Sequence, residues 1–284
     1  MSINNDIKAR VPALLERVKE KKPLVHHITN YVTVNDCANA VLAIGGSPIM
    51  ADDIGEMHDI VSMASALVLN IGTLNERTIE SMIIAGKRAN ELGIPVVFDP
   101  VGAGATRMRD KTANRIIDEV KLAVIRGNIS EIKAVSGIAS RTKGVDAAEE
   151  DMLSSGNLDY GKKIAMDLSR RLDCVVAITG PVDIVAEKDK VCFVENGDKM
   201  LSTITGSGCV CTSIIAVYCG VTGNYFDAAV AGLISIGIAG EMAREMTAVS
   251  NAGSGTYREK LIDSLYLLTA EDIQKRGKVS CHET

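Results

Sequence analysis

The sequence predicts an α/β fold in which a mostly parallel central sheet is flanked by helices on both faces, with a small antiparallel hairpin at the sheet edge. Three observations indicate this class. Short apolar runs alternate with stretches of helical period along nearly the whole chain. Several runs, such as 66–72, are almost continuously apolar, as in strands buried on both faces. Two later runs, 182–186 and 191–195, alternate with charged residues and favour the hairpin.

Each element follows from the period of its apolar residues and from the residues that end it. Helices are predicted where apolar residues recur every three or four positions, and a further one starts at Asp52 and Asp53. The other helices cover 7–21, 36–44, 76–92, 109–118, 129–135, 160–172, 225–249 and 253–268. The strands cover 24–28, 47–51, 66–72, 96–100, 122–126 and 174–179. We expect one domain over 1–284, an exposed excursion at 137–158 and a short polar tail.

The composition narrows the functional classes. The chain has 284 residues, a formal charge of −5 and no basic run, which argues against a nucleic-acid partner. The cysteines number seven, which is odd, and most lie inside apolar runs, so we expect reduced thiols and not a disulfide framework. The absence of a CxxC pair and the presence of only four histidines argue against a zinc site. The first residues contain no apolar signal core, and the longest apolar stretch, about 228–239, is interpreted as too short and glycine-rich to span a membrane. We therefore expect a cytoplasmic protein with no membrane partner.

A glycine-rich turn at 205–208 precedes an apolar helical stretch whose first turn contains Cys209. Glycine lets the backbone approach a ligand closely, and the first N–H groups of a helix have no partner within it. The helix dipole adds partial positive charge at the same end, so the turn is a candidate anion site. Taken alone, two glycines favour the simpler interpretation of a tight turn before a buried helix.

Polar residues follow the predicted strands at their carboxyl ends. If these strands are parallel, their ends share one rim of the sheet with the glycine turn. Each residue alone could be a cap, an ion-pair partner or a surface residue, but together they match the needs of phosphoryl transfer with Mg²⁺. The absence of a Walker motif, and of a G-x-G-x-x-G after the first strand, disfavours the P-loop and Rossmann alternatives. The residues are Asn70, Asp99, Arg126, Asn128, Glu131 and Thr179.

Seven strings spread over nearly the whole chain carry a family resemblance. They are ITNYVTVNDCAN (28–39), GSPIMA (46–51), LNIGT (69–73), FDPVGAGA (98–105), RGN (126–128) followed by Glu131, ITG (178–180) and TGSGC (205–209). These strings resemble the hydroxyethylthiazole kinases, which are members of the ribokinase-like superfamily. The resemblance implies a ribokinase-like fold.

The resemblance also implies a reaction. Enzymes of this family transfer the γ-phosphate of ATP to the primary alcohol of 4-methyl-5-(2-hydroxyethyl)thiazole, in thiamine biosynthesis and salvage. ATP is then the co-substrate and Mg²⁺ the cofactor. The resemblance further implies a homotrimer whose sites lie at subunit boundaries.

Matching motifs imply which residues of this chain would take part. For the anion hole and catalysis they are Gly206, Ser207, Gly208 and Cys209. The thiazole would contact Met50 and Gly206, with Asn30 nearby, whereas ATP would contact Arg126, Thr179 and Asn128. The Mg²⁺ ion would be organised by Asp99 and Glu131, partly through water.

The thiol of Cys209 departs from the wider superfamily, whose members generally carry Asp as the base at this position. A helix N-terminus lowers the pKa of a thiol, whereas a neighbouring triphosphate raises it by like-charge repulsion. Our hypothesis is that Cys209 guides the alcohol and takes its proton late, while backbone amides and Mg²⁺ supply most of the acceleration. Cys211 falls on a different helix face and is interpreted as packing.

Three alternatives remain open at this stage. A sibling enzyme of the same fold could act on another small alcohol, such as a hydroxymethylpyrimidine. Asp at position 209, where this chain has Cys, would have favoured that alternative. A nucleotide-binding regulator would bind ATP without turnover, and the intact set of acids, Arg126 and Cys209 argues against it. A cysteine acyl-transferase needs a histidine beside the thiol, and no histidine follows a strand end near the turn.

Overall fold

Nine strands form one sheet within residues 3–137 and 158–283, the part of the chain that the computed structural model describes. The strand order is β2-β1-β3-β4-β5-β6-β7-β8-β9. The first six pair in parallel and the last three antiparallel, which confirms the predicted class. The excursion expected at 137–158 lies outside the described residues apart from its two end positions. The strands are β1 (Leu24–Ile28), β2 (Ser47–Met50), β3 (Ala66–Asn70), β4 (Val96–Asp99), β5 (Val124–Asn128), β6 (Val175–Thr179), β7 (Asp183–Glu187), β8 (Lys190–Val194) and β9 (Val279–Glu283).

Helices cover both faces of this sheet, because successive strand residues point to opposite sides and both sides are apolar. In β3, Ala66 and Val68 join the core cluster under α1, α2 and α8–α10, whereas Leu67 and Leu69 join the cluster under α3–α7. The helices in the same described ranges are α1 (Ile3–Lys21), α2 (Val34–Ile44), α3 (Met57–Met63), α4 (Glu76–Glu91), α5 (Arg107–Glu119), α6 (Ile129–Val135), α7 (Leu158–Leu172), α8 (Ser207–Cys219), α9 (Tyr225–Val249), α10 (Ser254–Leu267) and α11 (Ala270–Arg276).

Several boundaries differ from the sequence prediction, and two of these differences change an interpretation. The predicted strand 122–126 is β5 at Val124–Asn128, so Arg126 lies in the middle of a strand and not at its end. The helix expected from Asp52 begins as a short 3-10 turn, Ile54–Glu56, because the Asp53 carboxylate accepts a hydrogen bond from the Gly55 N–H. The regular helix α3 follows that turn.

The antiparallel region extends further than predicted. The polar tail expected after 268 forms α11 and then β9, which pairs with β8, so the hairpin does not form the sheet edge. Cys192 and Cys281 face each other in the β8–β9 register and form a disulfide. The expectation of reduced thiols is therefore wrong for this pair, because a pairing across 89 residues depends on a strand register that spacing alone does not reveal.

The helix α9 corrects another expectation. Its 25 residues are long and apolar enough to cross a membrane, contrary to the judgement that this stretch is too short. However, 89% of its apolar window is buried inside the protein, where it packs against α8 and α10. Within the described residues, this helix is a core element.

Candidate active site

The site lies where β3, β4, β5 and β6 end and where α8 begins. The parallel register places Asn70 beside Asp99, and Asn128 beside Thr179, so the polar residues that follow these strands meet at one rim. Asp99 and Asn70 are almost completely buried, with 0% and 1% of their surfaces exposed. The rim expected from parallel strands is therefore formed by neighbouring strand ends.

The glycine turn at the start of α8 leaves no room for a side chain at position 206 or 208. Gly206 has φ +82°, and a Cβ on it would lie 2.2 Å from Thr33 Cγ2. A Cβ on Gly208 would lie 2.6 Å from Arg126 Nη1. Glycine is thus required at 206 for both conformation and space, and at 208 so that a guanidinium can pack against the first turn of the helix.

Arg126 brings a buried cation to the start of α8. Its Nη2 donates a 2.5 Å hydrogen bond to Thr179 Oγ1, and its Nη1 lies 3.6 Å from Asp99 Oδ2. Burial alone would lower the pKa of Arg126, but the neighbouring Asp99 carboxylate and other acidic groups raise it above its ordinary value. The buried Nε has no hydrogen-bond partner, so this cation keeps donor capacity for an anion at the turn.

Asp99 has one engaged and one unengaged carboxylate oxygen. Oδ2 accepts hydrogen bonds from Thr212 Oγ1 at 2.7 Å and Asn70 Nδ2 at 3.2 Å. Oδ1 is buried and has no partner. Burial raises the pKa of Asp99, and the nearby Arg126 and Thr212 oppose that shift. A buried acceptor of this kind is suited to a cation or to a donor from a ligand.

Glu131 is held by the backbone. Its Oε1 accepts from the Gly102 N–H and its Oε2 from the Asn128 N–H, both at 2.8 Å. Asn128 Oδ1 accepts from the Glu131 N–H in return, so the two residues form a capping box at the start of α6. Burial, and then the charge of Asp99, raises the pKa of Glu131. Both side chains therefore have structural partners, and Asn128 Oδ1 is used within the protein.

The residues present fit a Mg²⁺ ion. Mg²⁺ is typically held by one or two carboxylates and completes its shell with waters and substrate phosphates. Asp99 Oδ1 is a buried acceptor without a partner, and each Glu131 oxygen retains a second lone pair. Asp99 is thus suited to be the principal ligand, with Glu131 acting through water.

Cys209 follows the turn with its sulfur held by two amides. Asn30 Nδ2 lies 3.1 Å and Asn70 Nδ2 3.2 Å from Sγ, and each donates to it. Burial, and next the charge of Asp99, raises the pKa of this thiol. The group is therefore a thiol at neutral pH, so the lowering expected from a helix N-terminus does not dominate.

Of the residues assigned to the thiazole, Asn30 contacts Cys209 directly, and Met50 lies at the carboxyl end of a strand in the same sheet. Asn30 is buried next to Cys209, and its Oδ1 accepts hydrogen bonds from the N–H and the hydroxyl of Thr33. Met50 ends β2 and packs, half-buried, against the core cluster that contains Cys209. Ser207 is the first residue of α8.

Sequence reasoning missed two residues of this network. It noted Asn70 at a strand end without giving it a role, although its side chain contacts both Asp99 and Cys209. It did not single out Thr212, which lies one turn after Gly208 on α8 and donates to Asp99. The available signal was the position of this hydroxyl, which lies four residues after Gly208 and therefore on the same face of α8.

A parallel α/β sheet with a glycine turn, a buried arginine and an acid at the same rim defines a kinase of the ribokinase-like class. The match to known proteins is more specific. Residues 15–271 match the model of the hydroxyethylthiazole kinase family, and the chain belongs to that family. The family and fold implied by the resemblance are thereby confirmed.

Relatives and solved structures agree with this assignment. The chain is 54% identical to the hydroxyethylthiazole kinase of Clostridium beijerinckii over 277 residues, covering 98% of this chain and 99% of that protein. It is 53% identical to that of Clostridium tetani, covering 93% and 95%. The structure of the hydroxyethylthiazole kinase from Pyrococcus horikoshii OT3 superposes with a TM-score of 0.85 at 34% identity, covering 97% and 100%. A pyridoxal kinase from Bacillus subtilis shares the fold, with a TM-score of 0.56 at 17% identity.

Proposed function

We propose that this protein transfers the γ-phosphate of ATP to the primary hydroxyl of 4-methyl-5-(2-hydroxyethyl)thiazole, in thiamine biosynthesis and salvage. The observation that carries the proposal is the packing of Arg126 against the glycine turn, 2.6 Å from where a Cβ on Gly208 would lie, in a chain of this family. That packing leaves an anion hole between a cation and the unpaired amides of a helix start.

The transfer step follows from this arrangement. The alcohol oxygen forms a bond to the γ-phosphorus while the bond to the β–γ bridging oxygen breaks, so that ADP leaves with that electron pair. The amides of Gly206, Ser207 and Gly208 hold the oxygens of the phosphoryl group in transfer. Arg126, oriented by Thr179, neutralises charge on the phosphates, and Asn128 lies at the adjoining strand end. When bound, Mg²⁺ supplies further charge neutralisation on those oxygens.

Asp99 would hold the Mg²⁺ through its unpartnered Oδ1, and Glu131 would support it through water. The capping box with Asn128 keeps the Glu131 carboxylate at the rim. Cys209 guides the alcohol, because two amide donors fix its sulfur beside the turn. Because the raised pKa keeps this sulfur protonated at neutral pH, it cannot take the alcohol proton, which instead leaves late, to an oxygen of the transferred phosphoryl group, after the P–O bond has begun to form.

The acceptor site is proposed at Met50, Gly206 and Asn30. Tyr31 and Val32, which follow Asn30 directly, are 59% and 64% exposed. The family resemblance implies a homotrimer with sites at subunit boundaries, and we propose that a neighbouring subunit covers these two side chains. We further propose that residues 1–284 form one kinase domain and that the enzyme is cytoplasmic.

A coupled assay tests the function. The purified protein, ATP and MgCl₂ are mixed with the thiazole alcohol, and ADP release and the phosphate ester are quantified. We expect turnover that depends on the thiazole alcohol and exceeds that with 4-amino-5-hydroxymethyl-2-methylpyrimidine. Faster turnover of the pyrimidine would favour the sibling enzyme, and ATP binding without ADP release would favour the regulator.

A further inference from the structure

Asn70 uses its whole side-chain amide inside the site. Nδ2 donates to Asp99 Oδ2 and to Cys209 Sγ, each at 3.2 Å. Oδ1 accepts from the Gly72 N–H at 2.9 Å and from Asn30 Nδ2 at 3.4 Å. With 1% of its surface exposed, the side chain makes all four of the hydrogen bonds that an amide offers.

The four partners allow only one orientation of this amide. If oxygen and nitrogen were exchanged, Oδ1 would face the carboxylate oxygen of Asp99, and Nδ2 would face the N–H of Gly72. Both contacts would be repulsive in a buried environment. The strand end therefore fixes two donors that point to an acid on one side and to a sulfur on the other.

These bonds determine what the two partners present to a ligand. Asp99 Oδ2 is occupied by Asn70 and Thr212, which leaves Oδ1 as the unengaged oxygen. The sulfur of Cys209 receives one donor from Asn30 and one from Asn70, which restricts its position at the start of α8. One side chain thus couples the acid to the thiol.

We propose that Asn70 is a positioning residue for phosphoryl transfer, which holds Cys209 Sγ and the Asp99 carboxylate in register. This inference rests on the proposed function. Because the buried amide of Asn70 uses all four of its hydrogen bonds within the protein, its effect on turnover passes through Cys209 and Asp99. A residue of this kind affects kcat more than the KM for the alcohol.

A double-mutant cycle tests the coupling. Asn70→Leu keeps the number and branching of the side-chain heavy atoms and removes both donors, and it is combined with Cys209→Ala. In the wild-type background we expect kcat to fall roughly 10- to 100-fold, the range typical of outer-shell partners, with KM for the alcohol nearly unchanged. In the Cys209→Ala background, the same substitution should cost clearly less, because the partner is already absent. Equal fold-losses in both backgrounds would overturn the proposal.

A matched control separates positioning from general stability. Asn196 is also buried, and its amide donates to Glu241 and the Arg276 carbonyl while accepting from the Lys278 N–H, and none of these three partners belongs to the site. Asn196→Leu should lower the melting temperature but keep kcat within about threefold, since it touches no site residue. A kcat loss equal to that of Asn70→Leu would count against a specific role for Asn70.

A crystal structure of Asn70→Leu provides a readout that does not depend on activity. We expect a changed rotamer of Cys209 or a rotated Asp99 carboxylate on an unchanged backbone. Unchanged positions of both groups would refute the inference even if the wild-type enzyme phosphorylates the thiazole alcohol. If the wild-type enzyme does not phosphorylate the thiazole alcohol, the proposed function is refuted. The crystal structure of Asn70→Leu still tests the hydrogen-bond coupling in that case.

Discussion

Polar groups are buried both at the rim, where β3 to β6 end, and at the antiparallel edge of the sheet, which consists of β7 to β9. The two regions differ in whether these groups have hydrogen-bond partners. Beside the edge, the amide of Asn196 bonds to Glu241, Arg276 and Lys278. At the rim, Asp99 Oδ1 and Arg126 Nε are buried without partners. An unsatisfied buried group costs about 1–3 kcal/mol, so the rim carries a cost in the free protein that bound charges can offset. Substitutions at the rim should therefore change turnover, and substitutions at the edge should change stability.

Removing the rim cation should have the largest effect. Arg126→Ala deletes the guanidinium that faces the turn and leaves the buried Asp99 without its cationic neighbour. We expect kcat to fall about 10³-fold or more, the scale for a charge-stabilising arginine in phosphoryl transfer. Steady-state ADP release measures it. Arg170, which pairs with Asp167 and Asp189 at the surface, is the control, and its Ala variant should keep activity. A loss below tenfold for Arg126→Ala would contradict the proposed role.

A methyl group at the turn tests the same region without removing charge. In Gly208→Ala, the new Cβ would lie 2.6 Å from Arg126 Nη1 and displace the guanidinium from the helix start. We expect kcat/KM for ATP to fall roughly 10²-fold, comparable to the loss of one preorganised anion-hole contact. Thermal unfolding should change little, because a flexible side-chain end can move. Gly223→Ala adds the same methyl group in open space, and it should match wild type in both measurements. Equal behaviour of the two variants would argue against the turn as the phosphate site.

The thiol should contribute less than the cation. Cys209→Ala should lower kcat roughly 10- to 100-fold, at or below the lower end of general-base effects, and Cys209→Asp should remain active. Because burial raises the pKa of Cys209, the thiol is protonated at neutral pH. A thiolate needed in the slow step would make kcat rise with pH between about pH 7 and 8, because the fraction of thiolate grows throughout the range below its pKa, whereas a guiding thiol predicts a flat profile there. Near-normal turnover of Cys209→Ala would exclude a base role. An inactive Cys209→Asp variant that still binds ATP would contradict the guiding role.

The same contrast separates what sequence reasoning can and cannot predict. Asp99 and Thr179 lie at the same rim because parallel strands end together, and the alternation of strands and helices predicted parallel strands. The Asn-x-x-Glu spacing of Asn128 and Glu131 is a readable capping box, although the family resemblance directed attention to its metal role. The four bonds of Asn70 depend on side-chain orientation in three dimensions, which no spacing encodes.

The edge was the least predictable region, because β9 is placed by its pairing with β8 and not by a pattern in its own sequence. The strand β9 contains alternating polar residues with no period distinct from a surface tail, and it is placed by pairing with β8. The disulfide between Cys192 and Cys281 follows from that register alone. A parity argument on seven cysteines could not find it.

The smallest effect on turnover is expected at this edge. Cys281→Ser removes the disulfide to Cys192, which lies 89 residues away in sequence. Opening a loop of that length should reduce the free energy of unfolding by roughly 2–4 kcal/mol, through greater freedom of the unfolded chain. The rim does not contain β8 or β9, so kcat and KM should stay within about twofold of wild type.

Thermal melts with and without dithiothreitol check the stability change. On reduction, the melting temperature of the wild type should fall toward that of the variant, and the melting temperature of the variant should not change. Serine at 281 also places a hydroxyl in a buried position, so Cys281→Ala serves as the control for that polar group. A loss of turnover in either variant, while it is still folded at the assay temperature, would show that the edge is coupled to the rim. The rim would then not determine activity independently of the edge.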